Sequence, residues 1–385
     1  MGMEKKYLTV NIGSASKKYA FYANGREMWR AHFEKEDNDF VVTFLIGDRT
    51  KKTKIKKEDF KNSIAFLRNR IGDAVAIGIR IVAPGEYFLK NRVIDGKFLE
   101  KLKAASEQAP LHIAPVFAEI SQLRKFLPKA KLIAVSDSAF YADMPEQARL
   151  YSLPESVAKK FGIYRYGYHG ISIRSVIRKI KKLVNPFPPR AVICHLGSGS
   201  TVAAVKNGKS FDTSMGFTPM EGLPMGTRIG NIDAGAVIYL AKKSGMKLEE
   251  LESFFNKQCG LLGLSGKTAD VRKLIELEKS GDKKSALALD NFIYHIKKYI
   301  GAYAAAMGGL DLLVFTATIG ERSFIVRRRI CSGLGEFGIK IDETKNKATV
   351  SRDGFINKTK SKTKIAVITT DELKEIYNQI RGFRD

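Results

Sequence analysis

The chain has 385 residues, 44% hydrophobic and 28% charged, which suits two ordinary domains and excludes a disordered polymer. Its 66 Lys and Arg against 40 Asp and Glu give a formal net charge of +26. The three cysteines, Cys194, Cys259 and Cys331, have no metal-ligand spacing, and their odd number fits a reducing, cytoplasmic setting.

In chain order, no targeting segment is expected ahead of the first strand, which the pattern predicts at Tyr7–Ile12. Strands follow at Tyr19–Tyr22 and Val41–Ile46, then a helix over Lys57–Arg70. Ala74–Val82 is a continuous apolar run, read as a buried strand that stops at Pro84-Gly85. Helical periodicity marks Phe98–Ala109 and Ile113–Leu127, and Leu132–Val135 is a short strand leading into Ser136-Asp137-Ser138. Helices are predicted at Pro154–Phe161 and His169–Lys182. After the proline-rich break at 185–189, a strand starts at Arg190. Helices then run over Asp233–Ser244, Lys247–Gln258 and Ser285–Met307, followed by a buried strand at Leu312–Thr316 and a helix over Ser323–Gly333. Strands alternating with helices mean an α/β protein with mixed sheets.

One phrase occurs twice. Val10-Asn11-Ile12-Gly13-Ser14-Ala15-Ser16 is followed by an apolar strand and Asn24-Gly25. Cys194-His195-Leu196-Gly197-Ser198-Gly199-Ser200 is followed by an apolar strand and Asn207-Gly208. Each copy reads as a strand, a tight Gly/Ser turn, a second strand and an Asn-Gly hairpin signal. Such a turn exposes backbone N–H groups and hydroxyls with little bulk, which suits phosphate oxygens. Two copies in one chain imply two related domains gripping one phosphate chain.

Basic clusters at Arg49–Lys57, Arg178–Lys182, Arg327–Arg329 and Lys345–Lys364 raise nucleic-acid binding as a reading. They are scattered, lack interleaved aromatics and match no recognition helix or zinc finger. Solvated surfaces that attract anionic metabolites are therefore the favoured reading, including a solvated face for Arg327-Arg328-Arg329. Charges interrupt the apolar stretches early, as Arg80 and Asp311 do, so no membrane span is expected.

Phosphoryl transfer needs cationic groups around the moving phosphoryl and rigid alignment. His169 and Arg228 sit in glycine-framed phrases, Gly167-Tyr168-His169-Gly170 and Gly226-Thr227-Arg228-Ile229-Gly230. Arg80 interrupts an apolar strand, where a guanidinium is costly unless it meets an anion. Asp137 follows a short strand, a common place for catalytic carboxylates in open sheets. Each has a plainer alternative: a hydrogen-bonded turn histidine, an internal ion pair, or a helix cap. His112 could equally be a satisfied core histidine, and His32 and His295 carry no assigned role.

Taken together the phrases resemble the acetokinase family, the acetate kinases with their butyrate and propionate kinase relatives. Asn11 to Lys18 resembles N-x-G-S-S-S-x-K, Ala109-Pro110-Leu111-His112 resembles A-P-L-H, and Asp137-Ser138-Ala139-Phe140 resembles D-T-A-F. Arg165 to Gly170 resembles R-Y-G-F-H-G, and Asp212 to Pro219 with Gly226-Thr227-Arg228 resembles D-T-S-M-G-F-T-P…G-T-R. Phe315 to Glu321 resembles F-T-A-G-I-G-E, and Thr369 to Glu372 resembles P-T-N-E. The resemblance implies two duplicated α/β domains of the acetate and sugar kinase, heat-shock chaperone and actin (ribonuclease H-like) fold, with an interdomain active-site cleft. It implies an N-terminal domain over 1–136 plus 373–385 and a nucleotide-binding, dimerising domain over 137–372.

The implied reaction is reversible transfer of the ATP γ-phosphoryl to acetate, with Mg²⁺ or Mn²⁺, in a cytoplasmic homodimer. Its partners would be a small carboxylate and a nucleotide, with no membrane and no nucleic acid. By motif, Asp137, His169, Arg228 and Arg80 would be catalytic, and Asn11 with Glu372 would place the metal. Arg80, Val82, Leu111, His112, Tyr168 and Pro219 would receive the carboxylate and its methyl group. Ser14, Ser16, Lys18, His195, Leu196, Gly197, Ser198, Gly199, Asp270, Val271, Arg272, Thr318, Ile319, Gly320, Glu321 and Arg322 would line the nucleotide.

The family assigns its aspartate an acid or base role, yet acetate has no proton to lose at neutral pH. Orienting Arg80 or a metal-bound water suits Asp137 better. Ser198 replaces an Asn, Thr318 a Gly and Arg322 an Asn of the family phrases. These departures cluster on the nucleotide side. They keep open a pyrophosphate donor, a propionate or butyrate acceptor, or a non-catalytic nucleotide-binding member of the fold.

Overall fold

A computed structural model describes residues 5–13, 16–36, 39–107 and 110–383. Two compact units emerge: Met1–Phe140 with Gly170–Ser175 and Asp371–Asp385, and Tyr141–His169 with Val176–Thr370.

The first unit carries β1 (Lys6–Ile12), β2 (Ser16–Ala23), β3 (Arg26–Glu36), β4 (Asp39–Ile46), β5 (Arg49–Ile55), β6 (Ala76–Ile81), β7 (Arg92–Val93) and β8 (Lys131–Ser136). They form one sheet in the order β5-β4-β3-β2-β1-β6-β8-β7. The second unit carries β9 (Arg190–Leu196), β10 (Ser200–Lys206), β11 (Lys209–Thr213), β12 (Leu312–Thr316), β13 (Gly354–Phe355) and β14 (Lys364–Val367), in the order β11-β10-β9-β12-β14-β13.

The repeated phrase is the visible part of a repeated topology. In both sheets a three-strand antiparallel meander is extended by two parallel strands, β3-β2-β1-β6-β8 and β11-β10-β9-β12-β14. Both Asn-Gly signals are tight turns with positive φ at each residue, Asn24 with Gly25 and Asn207 with Gly208. That geometry is what a two-residue hairpin requires. The central strands are buried on both faces, which explains runs such as Ala191–Leu196 and Leu312–Thr316 with no polar alternation.

Several elements differ from the expectations. The 57–70 helix is two helices, Lys57–Lys61 and Ser63–Ile71, broken at Asn62. The Arg49–Lys57 cluster is solvated surface as expected, and it also forms the edge strand β5, whose Lys52 and Lys54 pair with Glu36 and Asp39. Charged residues suit an edge because they oppose pairing with other chains. The solvated-face reading of Arg327-Arg328-Arg329 is corrected at its first residue. Arg328 is exposed, but Arg327 lies on the buried face of the helix Phe324–Cys331 with 0% exposure. Among the described residues no helix is long and apolar enough to cross a membrane.

The C-terminal helix, Glu372–Arg381, packs on the first sheet through Leu373, Ile376, Tyr377 and Ile380. Gly78 in β6 permits this approach, since a Cβ there would lie 2.6 Å from Ile376 Cγ2 and 2.8 Å from Ile380 Cγ2. Gly78→Ala should therefore destabilise the protein by about 1–3 kcal/mol through overpacking, read from the urea midpoint. An unchanged midpoint would mean the helix does not depend on that contact.

Candidate functional site

In the first unit β1, β6 and β8 are mutually parallel, so their C-terminal ends share one edge. Val10 registers with Ile79, and Arg80 with Val135, which sets Asn11, Arg80 and Asp137 side by side. Arg80 donates from Nε and Nη2 to Asp137 Oδ2 at 3.1 and 2.6 Å, and from Nη1 to Asn11 Oδ1 at 3.2 Å. Asn11 donates to Glu372, whose carboxylate lies 3.7 Å from Arg80 and also accepts from Ser172. The backbone N–H of Ile171 donates to Asp137 Oδ1 at 3.3 Å. Gly170 is obligatory here, because a Cβ would fall 2.0 Å from the Asp137 carbonyl oxygen.

Burial raises the pKa of Asp137, while the Arg80 guanidinium beside it pulls it back toward the ionised form. Arg80 itself is raised above its ordinary value: burial works against its charge, and Asp137 and Glu372 more than offset it. One guanidinium between two carboxylates leaves the cluster with a formal charge of −1.

In the second unit His195 faces Thr201 across β9 and β10. Thr201 Oγ1 lies 2.8 Å from His169 Nδ1, and the His169 ring stacks on His195 at 4.3 Å. His169 has φ +60°, a left-handed conformation at the cap of the helix Gly170–Leu183. A non-glycine residue held there is a recognised mark of functional constraint. The loop Gly197–Gly199 follows β9, and a Cβ on Gly199 would lie 3.3 Å from His169 Cε1 and 3.5 Å from Arg228 Nη1. Gly226 donates its N–H to Ser198 O at 3.2 Å, and Arg228 donates to Pro219 O at 3.3 Å. The loop, His169 and Arg228 thus form one cluster, with Arg228 as its fixed positive charge.

The other anticipated residues are more dispersed in role. Lys18 is exposed opposite Asn11, and Ser16 is part-buried in β2. Ser14 lies outside the described residues, as do the side chains of Leu111 and His112. Val82 is half-buried, Pro219 is buried, and buried Tyr168 donates its hydroxyl to Phe217 O at 2.6 Å. Asp270 caps the helix Val271–Lys279 and pairs with exposed Arg272, while Val271 enters the core. Thr318 to Arg322 form most of a short helix, Ala317–Arg322, on which Thr318 and Arg322 are exposed and Ile319 and Gly320 turn inward. Glu321 is engaged in structure, accepting the N–H groups of Ala317 and Thr370 at 3.0 and 2.9 Å.

Sequence reasoning missed Ser172 and Thr201. Ser172 had no signal in the sequence. Thr201 had one, its register position opposite His195, visible only once the hairpin is paired.

The sequence model of the acetokinase family matches residues 6–378. An acetate kinase of Carboxydothermus hydrogenoformans is 41% identical over 95% of this chain and 96% of its own. The crystal structure of Porphyromonas gingivalis acetate kinase superposes with a TM-score of 0.85 and 32% identity, covering 97% of this chain and 98% of that one. A propionate kinase from Francisella tularensis gives a TM-score of 0.87 and 34% identity, covering 97% and 98%.

Thr201→Val removes the oxygen that orients the His169 ring. Turnover should fall about tenfold with an intact fold. Unchanged turnover would show that Thr201 does not hold the ring.

Proposed function

This chain belongs to the acetokinase family, and on that footing we propose that it is an acetate kinase, reversibly moving the γ-phosphoryl of ATP to acetate to give acetyl phosphate and ADP. The observation that carries the reading is the pairing of chemistries: a guanidinium fixed by carboxylates in one unit, and a histidine–arginine pair against a Gly/Ser loop in the other.

Acetate is ionised at neutral pH, so it attacks without giving up a proton. The barrier is electrostatic, because an anionic nucleophile must meet an anionic phosphoryl group. In this reading Arg80 receives the acetate carboxylate, and Asp137 fixes the plane of its guanidinium. Val82, Tyr168 and Pro219 accommodate the methyl group. His169, held at Nδ1 by Thr201, and Arg228 stabilise charge on the transferring phosphoryl, while the Gly197–Gly199 backbone lies against its oxygens. The nucleotide takes the phrases at Asp270–Arg272 and Thr318–Arg322.

Magnesium keeps several waters and takes one or two carboxylates plus substrate phosphate oxygens. Glu372 in a cluster of net charge −1, with the Asn11 amide beside it, fits such an ion. When bound, the ion would neutralise phosphate charge. A homodimer belongs to the same reading. The helix Ala234–Ser244 buries none of its residues, and Ile238 and Tyr239 are 55% and 65% exposed, a surface suited to a second copy. The three free cysteines suit a cytoplasmic enzyme.

A hydroxamate assay tests the reading with acetate, propionate and butyrate, each against ATP, GTP and pyrophosphate. Acetate with ATP should give the highest kcat/KM, and Arg228→Ala should lower it by about 10²–10³ with little change in melting temperature. Folded protein with Mg²⁺ that makes no acyl phosphate from any pair would overturn it. Asp137→Asn should lower the rate across the neutral pH range while leaving the shape of the profile intact, since the carboxylate positions Arg80 and moves no proton. Loss of a pH-dependent limb in this variant would instead assign Asp137 an acid–base role.

A further inference from the structure

Arg327 is the largest fully buried side chain of the protein's described residues. A guanidinium has five N–H donors in a rigid planar fork. In Arg327 all five are used. Nε donates to Asn346 Oδ1 at 2.8 Å, Nη1 to Gly320 O at 2.8 Å and Glu321 O at 2.9 Å, and Nη2 to Asn346 O and Thr349 O, both at 2.7 Å. None of these acceptors is a carboxylate. Burial without a counter-anion pushes the guanidinium pKa down to about 10. What offsets the desolvation is the set of carbonyl dipoles at two helix C-termini, those of Ala317–Arg322 and Glu343–Ala348.

The short helix Ala317–Arg322 is held at its other end too. Its first residue, Ala317, has φ +62° and donates its N–H to Glu321, which also receives Thr370. Ser351 N–H adds a bond to Glu321 O at 3.2 Å. Asn346, itself fully buried, donates to Phe324 O at 2.9 Å and so ties the acceptor segment to the helix that carries Arg327. A six-residue helix has little stability of its own, so its orientation comes from these tethers. It presents Thr318 and Arg322 to solvent.

We infer that Arg327 is a positioning residue for the phosphoryl donor, clamping the nucleotide-facing helix Ala317–Arg322 against 343–349, the start of the lysine-rich segment 343–364. The inference rests on the kinase reading and on the assignment of Thr318–Arg322 to the nucleotide. The basic segment thereby acquires a role, because Asn346 and Thr349 supply three of the five acceptors. Lysine is no substitute, because three donors on a flexible stem cannot span two helix ends.

The test uses steady-state kinetics of the full chain, with Arg327→Lys, Arg327→Met and Asn346→Ala compared at a temperature where circular dichroism shows each folded. KM for ATP should rise about tenfold in both arginine variants and less in Asn346→Ala, while KM for acetate stays within about twofold. A merely structural role would lower the active fraction, reducing kcat and leaving both KM values in place. That outcome, or an unchanged KM for ATP in the soluble variants, overturns the inference. Should Arg327→Met not fold, Asn346→Ala and Arg327→Lys still decide it by the same split. Failure of the kinase reading itself shows separately, as wild-type protein that makes no acyl phosphate with any donor.

Discussion

The first unit depends on how a guanidinium is accommodated inside an otherwise apolar strand. Arg80 costs desolvation wherever it sits in β6, and the sheet offers no anion within that strand. The compensation comes from the ends of two neighbours, Asn11 after β1's apolar run and Asp137 just past β8, and from Glu372 at the start of the last helix. Each partner imposes a further constraint. Asp137 needs the Ile171 N–H, which requires glycine at 170 so that the chain can pass its carbonyl. Glu372 needs the C-terminal helix seated on the first sheet, which requires glycine at 78. The apolar packing of that helix and the ion cluster are therefore one problem with one solution.

The two units repeat a strand order but not a chemistry. The first sheet closes its edge with one cation and two carboxylates, whereas in the second unit only His195 sits on a strand, and His169 and Arg228 meet the glycine loop from outside the sheet. A negative cluster invites a hydrated divalent cation, and a positive one invites phosphate oxygens. Duplicated topology explains the common scaffold, while residues brought in from outside the sheets make the two units differ.

Much of this was legible in the residues. Long apolar runs located β1, β6, β9 and β12, because strands buried on both faces need no alternation. Both Asn-Gly pairs marked their hairpins. By contrast β5 is almost wholly polar, and its pairing with β4 is a tertiary fact that no local pattern announces. The 271–279 helix is hidden because Asp270 invites a chemical reading, although its carboxylate also serves as the cap. In the site, Arg80 and Asp137 could be picked out by their positions in or after apolar strands. Their partnership with Glu372 could not, because it spans the length of the chain and rests on how the last helix packs.

Arg327 and Arg80 show how differently two enclosed guanidinium groups are satisfied. Arg327 directs all five donors at carbonyl oxygens, is fully enclosed, and has no N–H left to offer. Arg80, among the described residues, directs three donors at Asp137 and Asn11 and keeps 16% of its side chain exposed. Two of its five N–H groups are not used in these bonds, and Nη1 also faces Glu372 at 3.7 Å. The distinction lies in where the donors of each fork point, with one fork closed by the fold and the other left open. A sequence that places arginine in an apolar context cannot distinguish the two cases, since both read as a charge where none should be. Only the acceptors brought in from distant segments decide whether such a residue fastens the structure or meets a ligand.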